Sequence, residues 1–407
     1  MNPLCLAVAL VMPAVPLVES TAGTTYYVDS RDGDDGSAGT SATKPWRSLD
    51  KVNAADLKPG DAISFRRGGS WNGALTLAAK GTAARPIVVQ AYGTGKAPKI
   101  TGACVSVSGD HWRISGLRAT KCDWAGFEIS GRRNHLVGVL ADGNIAGVHV
   151  IGSRNVVRDS RLTGNDRMSV NTEGGDDDSG AFGVLLNGDD NLVTGNVITG
   201  SYAASHDYKT DGAAVEVFNG DRNVVTRNLA RDNETFTELG AEKGKTATGN
   251  VFAFNVVTSS RARAGFLVTR GAGHVVGPVK GTIAVHNSVR LPGRDTIGWS
   301  CHDGCSPGIL RLRNNVISVG GQIGFADGKG ADEMGNVFHG RRAQFTVSRR
   351  SVVADPRFVS KTDLRLRAGS PALGRAVRLG STWFGGQATD FAGKALDSTP
   401  DAGAFQG

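Results

Sequence analysis

Through the middle of the chain, apolar and polar residues alternate in short runs, each closed by a turn with glycine and asparagine. The segments GVHVIGSRNVVRDS (147–160), GVLLNGDDNLVTGN (183–196) and AVEVFNGDRNVVTRN (214–228) share one plan: an alternating strand, a Gly turn, then Asn-hydrophobic-Val and a second polar turn. GFEISGRRNHLVG (126–138) and TELGAEKGKTATGN (237–250) fit it more loosely. The turn asparagines Asn134, Asn155, Asn191 and Asn223 fall 21, 36 and 32 residues apart, which is a coil of twenty-odd residues with insertions in the longer intervals. Such strands are too short to bury a face alone, so successive coils must stack to make a core.

The pattern predicts an all-β chain wound as a right-handed parallel β-helix, with Asn at the turns able to adopt the left-handed conformation and bond to its equivalents above and below. A β-sandwich or a propeller fits less well. Hairpins should show paired strands joined by two-residue turns, and a propeller a period of about 40 residues. Composition agrees: 57 glycines and only 6% aromatics suit many turns and short β-branched strands.

Both ends add a resemblance. TYYVDSRDGDDGSAGTSATKPWRSLDKVNAADLKPGDAISFRRG (25–68) resembles the opening segment of secreted β-helix polysaccharide lyases and glycosidases, and DLRLRAGSPALG (363–374) with DAGAFQG (401–407) resembles their closing segment. The resemblance implies a capping helix over Leu49 to Leu57 and one domain over 24–407, with a capping segment at 25–68, coils at 70–345 and a closing segment at 350–407. It speaks to architecture more than to chemistry, because this scaffold also carries non-catalytic binding proteins.

Residues 1–23 read as a leader: an apolar run from Pro3 to Val18, then small residues, without the usual positive charge in front. Pro13 and Pro16 interrupt a run too short to span a bilayer. The expectation is a secreted, monomeric protein. Beyond the leader four cysteines remain, and an even number in an exported chain suggests two disulfides, Cys104–Cys122 between neighbouring coils and Cys301–Cys305 around a small loop. A formal charge of +8 favours an acidic polymer as partner, while the lack of a lysine-rich or aromatic-interleaved basic run argues against nucleic acid.

Alternation sends Val148, Val150, Val184, Leu186, Val215 and Val217 inward, and the residues between them to solvent. The outward column then reads Glu128, His149, Leu185, Glu216, Glu238 and Leu267, provided that Thr237 and Leu239 face the core. Glu216 and Glu238 would stand on adjacent coils about 4.8 Å apart. Two ionised carboxylates so placed repel, so one keeps a proton or a cation sits between them. Retaining glycosidases use two carboxyl groups about 5–5.5 Å apart, and the arrangement resembles that of β-helix β-xylosidases. Glu216 and Glu238 are therefore the expected catalytic pair of a polysaccharide-degrading glycoside hydrolase, which requires no cofactor.

Around the pair, the insertion SYAASHDYKTDG (201–212) is expected to project as a wall carrying Tyr202, His206, Tyr208 and Lys209 as sugar contacts. His149 is assigned to an outlying sugar subsite, and Arg263 and Arg270 to a substrate carboxylate. GGDDDSG (174–180) reads as a loop, and Trp299 with His302 as a distal rim. The alternative is a calcium-dependent lyase with Asp211 and Glu234, beside Glu238, as metal ligands. Against it, the next coil reads Gly265, Phe266, Leu267 where the resembling pectate lyases present a lysine base. A non-catalytic carbohydrate-binding β-helix is the third reading.

Overall fold

A computed structural model describes residues 23–387 and 389–407. The expected leader lies outside the described residues up to position 22. The chain winds as a right-handed parallel β-helix. One stack of twelve parallel strands runs from Thr25–Val28 to Asp332–Met334. Two further stacks close the coil and join at Lys99–Val107, which pairs with both Arg118–Cys122 and Ala125–Ile129. One of them continues through Leu229–Arg231 and Ser288–Leu291 to Val352–Val353. The other continues through Ala146–Val150, Phe182–Leu186, Ala213–Phe218, Thr235–Gly240, Arg263–Arg270 and Asp295–His302 to Arg342–Gln344.

Alternation along these strands fills the interior as expected. Val148, Val150, Val184, Leu186, Val215, Val217, Thr237 and Leu239 are fully buried. Phe236 and Phe266 stack on adjacent coils with ring centres 5.6 Å apart.

The turns are tied by asparagine ladders. The Asn134 amide N–H donates to the Asn155 side-chain oxygen at 2.9 Å, and the bond repeats from Asn155 to Asn191, Asn191 to Asn223 and Asn223 to Asn250. A second ladder runs through Asn196, Asn228, Asn255, Asn287, Asn315 and Asn336. These side chains satisfy amides that the bend between strands leaves unpaired, and the insertions bulge out without breaking either file.

The capping helix spans only Leu49–Asn53, with Ser48 accepting from the Lys51 amide and Leu49 and Val52 buried on the end of the core. It stops short of the expected Leu57. The residue before Pro59 disfavours helix, and the Asp61 carboxylate takes the Lys58 amide into a turn instead. Both expected disulfides form, Cys104–Cys122 between neighbouring coils and Cys301–Cys305 around its short loop. The C-terminal segment folds back along the outside, where the Val377 carbonyl accepts from the Asn314 side chain and the Ala404 amide donates to Ser288. Among the described residues no helix is long and apolar enough to cross a membrane.

A candidate active-site cleft

Strand register places the two glutamates. Val215 pairs with Thr237, Glu216 with Glu238 and Val217 with Leu239, so both carboxylates leave the same face of adjacent coils. They form the base of a cleft of about 530 Å³ whose floor continues through Val268 and Ser300. The column expected from sequence is corrected at one coil. Val268, not Leu267, follows Glu238, because Thr235 pairs with Gly265 and Thr237 with Leu267, which is fully buried.

One wall is built from two insertions. The segment 201–212 folds as a hairpin pairing Ala203–Ser205 with Lys209–Asp211, and Met168–Val170 pairs with Ser179–Gly180 in a second. The hairpins clamp each other: the Asp207 carboxylate accepts from the amides of Gly174 and Asp177, and that of Asp178 accepts from the Ser205 hydroxyl and the Asp207 amide. Asp177, Asp178 and Asp207 bring their carboxylate oxygens within 4.8 Å of one another, the one such group of three among the described residues. Asp176, Asp178, Tyr208 and Asp211 face the cleft. The Tyr208 hydroxyl bonds to Asp176, and burial with that acceptor pushes its pKa up.

Arg270, His274, Val275 and His302 form the opposite wall. Arg270 and His302 end adjacent strands and pair directly, which brings His302 into the cleft rather than to a distal rim. Trp299, read with it as a rim residue, is fully buried.

Two arginine–glutamate pairs organise the charge. Arg270 donates through Nη2 to Glu238, and Arg263 donates through Nε to Glu234 at 3.1 Å. The Nε and Nη1 atoms of Arg270 are buried without a partner among the described residues. Among the described residues no cation is paired with Glu216. Burial, then the charges of Glu238 and Asp211, raise its pKa well above the usual carboxylate range, and Arg270 only partly opposes them. Burial likewise raises Asp211, against a hydrogen bond from the Gly212 amide and with the charges of Glu238, Glu234 and Asp178, to about 7. Glu234 is raised by burial, with Thr235 and Arg263 opposing. Of the three expected calcium ligands, Glu234 and Glu238 are each engaged by an arginine, and Asp211 lines the cleft beside them.

The other sequence candidates lie elsewhere. Tyr202 does not line the cleft, and the Arg261 guanidinium lies over its ring, 3.8 Å from the centre. His206 and Lys209 are exposed near the hairpin tip and do not line the cleft. His149 lies further along the same column, with Nε2 2.6 Å from the Asn187 side-chain oxygen and Nδ1 3.0 Å from the Trp124 indole nitrogen and 3.2 Å from Glu128. Leu185 separates it from Glu216.

No family model matches the chain. A lacto-N-biosidase of Bifidobacterium longum subsp. longum is 40% identical over 122 residues, which cover 26% of this chain and 8% of that protein. Among solved structures, a GH136 lacto-N-biosidase from Eubacterium ramulus superposes over 81% of this chain and 67% of its own with a TM-score of 0.59 at 16% identity. Pectate lyase Pel9A superposes over 95% of this chain and 97% of its own with a TM-score of 0.63 at 15% identity. These likenesses establish the β-helix fold, which glycosidases and lyases share.

Proposed function

We propose that the chain is an exported glycoside hydrolase that cleaves a polysaccharide or oligosaccharide in the cleft over Glu216 and Glu238. The observation that carries this reading is the direct pairing of the two glutamates on adjacent coils, with Arg270 bonded to Glu238 alone. The arrangement supports a division of labour. Glu216, whose pKa burial and the neighbouring carboxylates raise, serves as the acid, while Glu238, charge-paired, is the nucleophile. In the first step the Glu238 carboxylate forms a bond to the anomeric carbon while Glu216 protonates the departing glycosidic oxygen. In the second, Glu216 as carboxylate takes a proton from water, whose oxygen displaces Glu238 from the sugar. A strand repeat of about 4.8 Å suits this retaining geometry and leaves little room for the water of an inverting enzyme.

The short curated match to a lacto-N-biosidase supports hydrolysis. The lyase reading is weaker, because Val268 occupies the column where a base would follow and two of its three metal ligands are paired with arginine. Two disulfides suit an oxidising, extracellular setting.

The test is activity of the purified chain on neutral and acidic polysaccharides, with reducing ends and unsaturated uronate followed together. New reducing ends without unsaturation, lost in Glu216→Gln and Glu238→Gln, are expected. Unsaturated product abolished by chelation would replace the reading by a calcium-dependent lyase, and binding without cleavage by a carbohydrate-binding role.

A further inference from the structure

A second cleft, of about 780 Å³, lies on a different stack from the glutamates. One side is the outward column of the stack that carries Ser288–Leu291, in which Arg231, Thr258, Arg290, Ser318 and His339 follow one another on successive coils. The C-terminal segment folding back forms the other side and contributes Arg357, Lys361 and Arg367. Four permanent cations, Arg290, Arg357, Lys361 and Arg367, thus line it against one carboxylate, Asp355. The half-buried Arg290 guanidinium makes no hydrogen bond or ion pair with any described residue, and the column on either side of it holds hydroxyls rather than acids. Among the described residues the Arg367 guanidinium bonds only to the Val359 carbonyl.

Four like charges gathered against a single carboxylate repel one another, an arrangement that an anionic ligand relieves. The uncharged polar lining, Ser318 and Ser360, offers hydroxyls, and the single aromatic side chain besides His339, Phe358, is half-buried against the neighbouring apolar clusters. That lining suits a hydroxyl-rich anionic strand and lacks the exposed rings on which nucleic-acid bases stack. We infer that this cleft is a non-catalytic binding site for an acidic polysaccharide, holding the carboxylate or sulfate groups of the polymer on Arg290, Arg357 and Lys361. It stands independently of the hydrolytic reading, since it shares no residue with the cleft over Glu216 and Glu238.

The experiment is affinity electrophoresis of the full chain through gels containing polygalacturonate, dextran sulfate or neutral dextran. The comparison includes the triple variant Arg290→Gln/Arg357→Gln/Lys361→Gln and a charge-matched control, Lys44→Gln/Lys80→Gln/Arg132→Gln, made at exposed positions elsewhere. Retardation by either acidic polymer is expected, weakened about tenfold or more in the triple variant and by rising salt, and unchanged in the control. Polygalacturonate alone would assign a carboxylate ligand, dextran sulfate alone a sulfate, and both a site that reads charge. The inference is overturned by equal retardation in neutral dextran, by equal loss in the control variant, by an unaffected triple variant with native circular dichroism, or by tighter binding of single-stranded DNA than of either acidic polymer. Hydrolysis is read on the glutamate variants and retardation on the triple variant, and the two clefts share no residue, so failure of one proposal is distinguishable from failure of the other.

Discussion

Arg270 donates to Glu238 and makes no bond to Glu216, although the two glutamates pair directly across adjacent coils. Chemically similar side chains therefore sit in different electrostatic surroundings. One carries a fixed counter-charge, and the other faces two further carboxylates in a half-buried position.

If Glu216 is the acid and Glu238 the nucleophile, the two alanine variants differ in how an external nucleophile rescues them. Each is expected to lose about a hundredfold or more in kcat on a natural glycan. On an aryl glycoside, whose leaving group departs without a proton, azide should restore turnover in Glu238→Ala with a glycosyl azide of inverted configuration, and in Glu216→Ala with one of retained configuration. Product stereochemistry by NMR decides, and the reverse pattern would exchange the roles.

Arg270 acts on both groups, so its removal should change rate and pH profile together. Its charge lowers the pKa of Glu216, and Arg270→Gln should move the basic limb of the kcat/KM profile to higher pH. The rate at the optimum should fall by about a hundredfold, as when one preorganised charge contact in an active site is lost. Arg270→Lys should restore part of both. A basic limb that moves to lower pH would contradict this account.

The stability of the folded chain should also depend on pH through the cleft acids. Asp211 titrates near 7 in the folded chain and at about 3.9 when unfolded, so between those values the native state holds a proton that the unfolded chain has lost. Its contribution is complete below about pH 4 and declines as pH rises through about 7; Glu216 and Glu234, both raised, act in the same direction. Asp211→Asn removes this dependence. Its Tm should exceed that of the unmodified chain at pH 8 and match it near pH 4, which differential scanning fluorimetry can read directly.

The column of outward residues was legible because a period of two shows wherever polar and apolar residues alternate, as in Ala214, Val215, Glu216 and Val217. It failed at Gly265–Phe266–Leu267–Val268, where every residue is apolar or glycine and alternation carries no signal, leaving Val268 to be found from pairing. The wall residues were harder still. Asp176 and Asp178 sit in a glycine- and aspartate-rich run that reads as a loop; the Asp177 and Asp178 amides donate to Asp207, some 30 residues on, and Asp176 bonds to the Tyr208 hydroxyl. His302 meets Arg270 only through strand register, and Tyr202 packs against Arg261 rather than lining the cleft. Local pattern thus placed the two glutamates on adjacent coils, while the cleft around them depends on contacts between coils.

The ladder that holds the coils in register can be tested at Asn228, which is fully buried. Its side-chain oxygen accepts from the amide and the side chain of Asn196, and its nitrogen donates to the Val193 carbonyl and to Asn255. Asn228→Ala leaves the Asn196 amide and the Val193 carbonyl buried without these partners. Each unsatisfied group costs about 1–3 kcal/mol, so a loss of about 3 kcal/mol or more is expected from chemical denaturation. Asn228→Asp keeps the accepting oxygen and forfeits the two donated bonds, and should fall between. A loss in Asn228→Ala no larger than that of an exposed substitution such as Arg132→Ala would mean that backbone pairing alone holds the stack, and that the asparagine file is incidental to it.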